Sequence, residues 1–199
     1  MLAILAVLGP FGPHAQDARA AEDPMVFVKT KQTQVSALLH QPPSPSREKR
    51  LAEVLDSMLD YDQLAQQSMA NHWDDLTPAQ RKEFTQLLKE LVRRSYERNI
   101  KGILDWRVEY VGQDSDPNGV TVHTRATSKT NPREEPISID YKLVEVSNNW
   151  RVYDIVTEGS SLVNNYRNQF NRIMQKDGFD ALIRRMKTKV AQGGEAHAR

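Results

Sequence analysis

An α+β fold is what the sequence predicts: helices packed on one face of a curled, four-stranded antiparallel sheet. Three observations lead there. Apolar residues recur at helical spacing from Phe27 to Tyr96. The pattern then changes to alternation from Trp106 to Val156, and helical spacing returns from Leu162 to Val190. A sheet curled in this way forms a cone with room for an internal apolar cavity beneath its helices.

Asp23-Pro24 starts the first helix, a side-chain acceptor at the N-cap followed by proline at the first helical position. Phe27, Val28, Val35, Leu38 and Leu39 form its apolar side, and Pro42-Pro43-Ser44-Pro45 ends it. A second helix from about Ser46 carries Leu51, Val54, Leu55, Met58 and Leu59 as one stripe. A short helix after Asp60 or Asp62 carries Leu64, Met69 and Trp73. Thr77-Pro78-Ala79-Gln80 reads as a capping box. The helix it opens runs to about Lys101, with Phe84, Leu87, Leu88, Leu91, Val92, Ser95 and Tyr96 on one face. The strands follow. Trp106, Val108 and Tyr110 alternate with charged neighbours; so do Val122, Thr124 and Ala126, then Ile137, Ile139, Tyr141 and Leu143, then the run from Trp150 to Val156. Turns at Asp116-Pro117-Asn118-Gly119 and Ser147-Asn148-Asn149 make the sheet a meander. Two helices close the chain, one from Leu162 to Met174 and one from Phe179 to Val190, parted near Gly178. Residues 192–199 offer nothing to bury and read as a disordered tail.

With 199 residues, 39% of them hydrophobic, the chain has the length for one domain with a core. A formal charge of +1 does not mark nucleic acid as the partner. The absence of cysteine excludes disulfides, thiolate catalysis and Cys-ligated metal centres. The apolar run LAILAVLG and the small residues around Arg19 predict a signal peptide over residues 1–20. No Lys or Arg precedes the run, so the signal reads as incomplete at its N-terminus. The mature domain, residues 21–191, is then exported and soluble.

Chemistry is sparse. The histidines lack metal-ligand spacing, and no glycine-rich phosphate loop is present. Gly159-Ser160-Ser161 lacks the second glycine of a nucleophile elbow and precedes a helix, where serines cap. Asp140, Asp154 and Glu158 are the carboxylates available for proton abstraction. Asp140 reads as solvent-facing. Asp154 follows Trp150 and Val152 and reads as inward and salt-bridged, a structural role in preference to a catalytic one. Arg81, Lys82, Lys89, Arg93, Arg94, Arg98 and Lys101 read as a solvated helix face, with docking to an acidic partner or lipid headgroups as the second reading.

Several of these segments together resemble the MlaC family of periplasmic phospholipid carriers, also called the toluene-tolerance family. The resemblance lies in Asp60–Ile100, with its HW and LTPAQR motifs, in WRVYDI and EGSSLVNNYR within Ile137–Phe170, and in DGFDALIRRM. It covers nearly all of the mature chain. Ser160 departs from the β-branched residue common at its position in the family.

The resemblance implies a nuclear-transport-factor-like cone whose deep apolar cavity holds acyl tails, with the headgroup at the mouth. It also implies periplasmic shuttling between an outer-membrane lipoprotein–porin complex and an inner-membrane ABC transporter with its substrate-binding ring, which maintains outer-membrane lipid asymmetry. Phospholipid is then the cargo of a monomer that needs no cofactor, metal or nucleic acid. Set against the predicted faces, the expected lipid-binding residues are Leu64, Met69, Trp73, Leu88, Leu91, Val92, Tyr96, Val122, Ile139, Tyr141, Val152, Val156, Leu162, Val163, Tyr166 and Phe170. Many of these serve equally as solid core. Tyr96, Tyr141 and Tyr166 suit the mouth, where an apolar ring and a polar tip are both useful. The competing readings are a small-molecule isomerase or hydrolase using Asp154 or Glu158, and an adaptor with a filled core.

Overall fold

A computed structural model of the chain describes residues 22–195. The expected signal peptide lies outside the described residues.

The helix starts follow the capping chemistry. Asp23 accepts from the backbone N–H groups of Met25 and Val26 at 2.9 and 3.1 Å, opening α1, Pro24–Leu39. Ser44 caps α2, Pro45–Met58, and Asp60 caps α3, Tyr61–Met69. The predicted capping box forms reciprocally. The Thr77 N–H donates to Gln80 Oε1 at 2.9 Å, and the Gln80 N–H donates to Thr77 Oγ1 at 3.3 Å. That box opens α4, Pro78–Asn99, which gives way to a 3-10 segment, Ile100–Asp105.

The sheet has five strands, not four, in the order β1-β2-β3-β4-β5, and it is an open antiparallel meander. Its strands are β1 Trp106–Asp116, β2 Gly119–Ser128, β3 Ile137–Val146, β4 Asn149–Thr157 and β5 Ser160–Ser161. The added strand is only two residues long. Glu158 and Gly159, at φ +48° and +73°, fold the chain tightly enough for Ser160 and Ser161 to pair with Thr157 and Val156. Glu158 offsets its unfavourable φ with bonds to the start of β3: its N–H donates to the Ser138 carbonyl at 3.1 Å, and its carboxylate accepts from the Ser138 N–H.

Helix α5 spans Leu162–Glu195 and breaks at Gly178, whose φ of +76° with ψ of −179° is a conformation glycine alone adopts readily. The expected parting of two helices falls there. The second segment runs on to Glu195, into the stretch expected as tail.

Two apolar clusters form. The larger joins α3, α4 and α5 to the sheet through Leu64, Phe84, Leu88, Leu143, Val152 and Leu182, among others. The smaller is built by α1 and α2 from Val35, Leu38 and Leu51, with Leu39, Val54 and Tyr96 against it. Helix α1 also packs on β1 and β2, and it carries residues of both clusters, Phe27 and Val28 in the larger and Val35 and Leu38 in the smaller, so the two adjoin along it.

Candidate functional site

Leu64, Met69, Leu88, Leu91, Val92, Val122, Tyr141, Val152, Val163 and Phe170 are buried in the larger cluster, and Trp73, Ile139, Leu162 and Tyr166 pack half-buried against it. At one end the packing is a run of aromatic rings. Trp73 meets Phe84 edge-on at 6.5 Å, Phe84 meets Phe170 edge-on at 5.3 Å, and Tyr166 stacks on Phe170 at 5.3 Å. Tyr96 belongs instead with the smaller cluster.

Val156 belongs to neither cluster, because a bulge reverses the alternation of β4. Leu143 pairs with Val152, but Lys142 pairs with Asp154, leaving Tyr153 as the extra residue. Directly paired residues share a face. Ile155 therefore lies with Tyr141, while Val156 lies with Asp140. The expectation that Val152, Asp154 and Val156 share one inner face fails for this reason, and Ile155 replaces Val156 on the core side, packed against the larger cluster.

A polar link ties α1 to the sheet beside the larger cluster. The Tyr110 hydroxyl donates to Gln32 Oε1 at 2.6 Å, and Gln32 Nε2 donates to the Tyr141 hydroxyl at 2.6 Å. Gln32 falls one turn after Val28 and one before Val35, inside the apolar stripe of α1. A polar residue at such a position is the signal that sequence reading passes over; Tyr110 was legible only as a strand residue. Tyr141 is 8% exposed, and burial, partly offset by the hydrogen bond from Gln32, pushes its phenol up to about 12. Burial also raises the phenols of Tyr96 and Tyr110, with a further contribution from the neighbouring Tyr141. All three are neutral at physiological pH. By strand pairing, half-buried Val108 and Ile137 flank Ala126 on the face that holds Tyr110, Thr124 and Ile139.

The hollows at hand differ from the expected deep cavity. One, of about 180 Å³, lies between α1 and the β3–β4 turn, lined by residues including Phe27, Lys31 and Trp150. Another, of about 320 Å³, lies beside Gly178, lined by residues including Arg172, Lys176 and Arg185. None of the expected lipid-binding residues lines either.

The remaining polar groups hold the framework. Asp154 is buried and, among the described residues, is held by hydrogen bonds and not by an ion pair: Oδ2 accepts from the Ser161 hydroxyl at 2.7 Å, and Oδ1 accepts from the Val163 N–H at 3.0 Å. Ser161 in turn accepts from the Asn164 N–H at 3.0 Å, so the pair caps α5. Asp140 lies across from His123, whose Nδ1 is 2.9 Å from its carboxylate; Asp114 sits 3.1 Å from Nε2. Lys89 and Arg93 are not free on a solvated face, because both pair with Asp56 and tie α4 to α2. Among the described residues no group of three or more His, Asp or Glu is arranged to hold a metal.

What the geometry offers is an apolar face crossed by neutral hydrogen-bonding groups, and comparison with known proteins gives it a context. The phospholipid-binding protein of Ralstonia solanacearum, solved in complex with a phospholipid, shares this fold with a TM-score of 0.76 and 25% sequence identity. The match covers 87% of this chain and 99% of that one. The family model for the MlaC protein matches residues 28–188, from the first helix through the last, and the chain belongs to the MlaC family.

Proposed function

We propose that this protein is a periplasmic phospholipid carrier. Its acyl-tail site is the region where the two apolar clusters adjoin along α1, opened by displacement of the α1–α2 hairpin. The observation that carries the reading is the extent of the likeness to a phospholipid-bound relative, which leaves almost none of that relative's chain unmatched. The expected lipid-binding residues support it, since all but Val156 belong to, or pack against, one of the two clusters.

The energetics suit a carrier. Burying a methylene contributes about 0.8 kcal/mol, so two long tails represent roughly 20 kcal/mol or more against water. Free desorption is correspondingly slow, and an apolar site replaces that barrier by transfer between apolar environments. The partners are an outer-membrane lipoprotein–porin complex and an inner-membrane ABC transporter with its substrate-binding ring, and the outcome is outer-membrane lipid asymmetry. Export follows from a signal peptide over residues 1–20; among the described residues, no helix is long and apolar enough to cross a membrane. The carrier acts as a monomer, without a catalytic step. The enzyme reading has no observation in its favour, since both of its carboxylates are engaged in fixing backbone.

Transfer of a fluorescent phospholipid between donor and acceptor vesicles tests the reading. The protein should accelerate transfer in proportion to its concentration. A rate no different from spontaneous exchange contradicts it.

A further inference from the structure

The link through Gln32 has capacity left over. Because Gln32 Nε2 donates to the Tyr141 oxygen, the Tyr141 hydroxyl keeps its own proton, which has no acceptor among the described residues. Gln32 likewise retains a second amide hydrogen. Tyr96, packed against the smaller cluster, carries another hydroxyl that makes no hydrogen bond among the described residues. The spare hydrogens of Gln32 and Tyr141 lie together between α1 and the sheet, because those two side chains are bonded to each other there.

Their chemistry selects the ligand atom. The phenols are neutral, and none of the four side chains bonds to a Lys or Arg among the described residues. An anionic phosphate buried among neutral donors keeps most of its desolvation cost. A carbonyl oxygen needs only the donors that are present. In a two-tailed lipid, that oxygen belongs to the ester joining each acyl chain to glycerol, at the boundary between tail and headgroup.

We infer that Gln32 and Tyr141, with Tyr110 holding the Gln32 amide in place, receive an ester carbonyl of the bound lipid, so that the polar groups of this site read the acyl-ester linkage. The inference rests on the carrier reading. It makes Tyr141 and Gln32 specificity-determining residues: they reject a molecule with the same tails but no carbonyl, because such a ligand separates the Gln32–Tyr141 bond and returns nothing to it.

The test compares a diacyl phosphatidylethanolamine with the dialkyl-ether analogue of equal chain length, each titrated onto delipidated full-length mature protein. The wild-type protein should favour the ester by about three- to tenfold, the worth of one to two modest hydrogen bonds. Tyr141→Phe should bring the ester-to-ether ratio to about one, because the variant has neither a hydroxyl to offer the carbonyl nor a Gln32–Tyr141 bond for the ether to break. Equal binding of ester and ether by the wild-type protein overturns the inference while leaving the carrier reading intact, and this comparison needs no variant to fold. A preference that survives in Tyr141→Phe also overturns it. Binding of neither lipid removes the carrier reading and this inference with it.

Discussion

The Ser161 hydroxyl donates to the buried carboxylate of Asp154 at 2.7 Å, and together the two residues hold the first turn of α5. A serine beside a buried acid suggests a nucleophile, yet both hydrogen bonds of this hydroxyl, to Asp154 and from the Asn164 N–H, fix the start of a helix, and the serine itself is buried. The pair is a cap whose second acceptor comes from the neighbouring strand.

Removing either half of that cap should cost stability. Ser161→Ala is expected to destabilise by about 1–2 kcal/mol through loss of the N-cap. Asp154→Ala is expected to cost about 2–3 kcal/mol, because hydrogen bonds to a charged group are the stronger ones. Urea denaturation measures both, and two variants as stable as the wild type would show that the cap contributes nothing.

Two ion-pair sites give pH dependences of opposite sense. Burial opposes ionisation of Asp56, but the hydrogen bonds and charges of Arg93 and Lys89 outweigh it and hold its pKa below the ordinary 3.8. A depressed carboxylate stabilises above its unfolded pKa, so the tie between α2 and α4 should be lost as pH falls below about 4. For His123, the bond to Asp140 raises the pKa above 6.5; burial opposes the shift and Asp114 adds to it. That contribution is complete below the unfolded value and disappears as pH rises through the folded one. The difference in Tm between the wild type and His123→Asn should be wider at about pH 5.5 than at about pH 9, and a constant difference contradicts the assignment.

Two glycines with positive φ should differ in tolerance. At Gly178 an added Cβ meets nothing within 4 Å, so Gly178→Ala bears only backbone strain, about 1–3 kcal/mol. At Gly119, φ +151°, the same carbon runs into the Leu143 carbonyl oxygen on the facing strand. Gly119→Ala should be the more damaging, at roughly 3 kcal/mol or more. The order of the two Tm values checks this.

Much of the fold was legible because local chemistry and tertiary structure agree. The Thr77–Gln80 box, Asp23-Pro24 and the Ser147–Asn148 turn lie where their residues put them. The β4 bulge was not legible, since Tyr153 is as good a strand residue as its neighbours and only pairing with β3 reveals it as extra. β5 was missed because two serines after a glycine carry no strand signal; the Glu158–Gly159 turn makes them one. The helical faces gave core residues, including Leu88, Leu91 and Phe170. Gln32 escaped because a glutamine reads as solvent-facing unless its place in the stripe from Val28 to Val35 is noticed. Tyr141 was legible as inward, but not as buried, because depth depends on α1 lying over it.

The most direct measurement of the central claim is the lipid content of the protein itself. Mature protein expressed in bacteria and purified without detergent should yield, on organic extraction and mass spectrometry, phospholipid in stoichiometric amount and of mixed headgroups. Extracts free of phospholipid from folded protein would contradict the account.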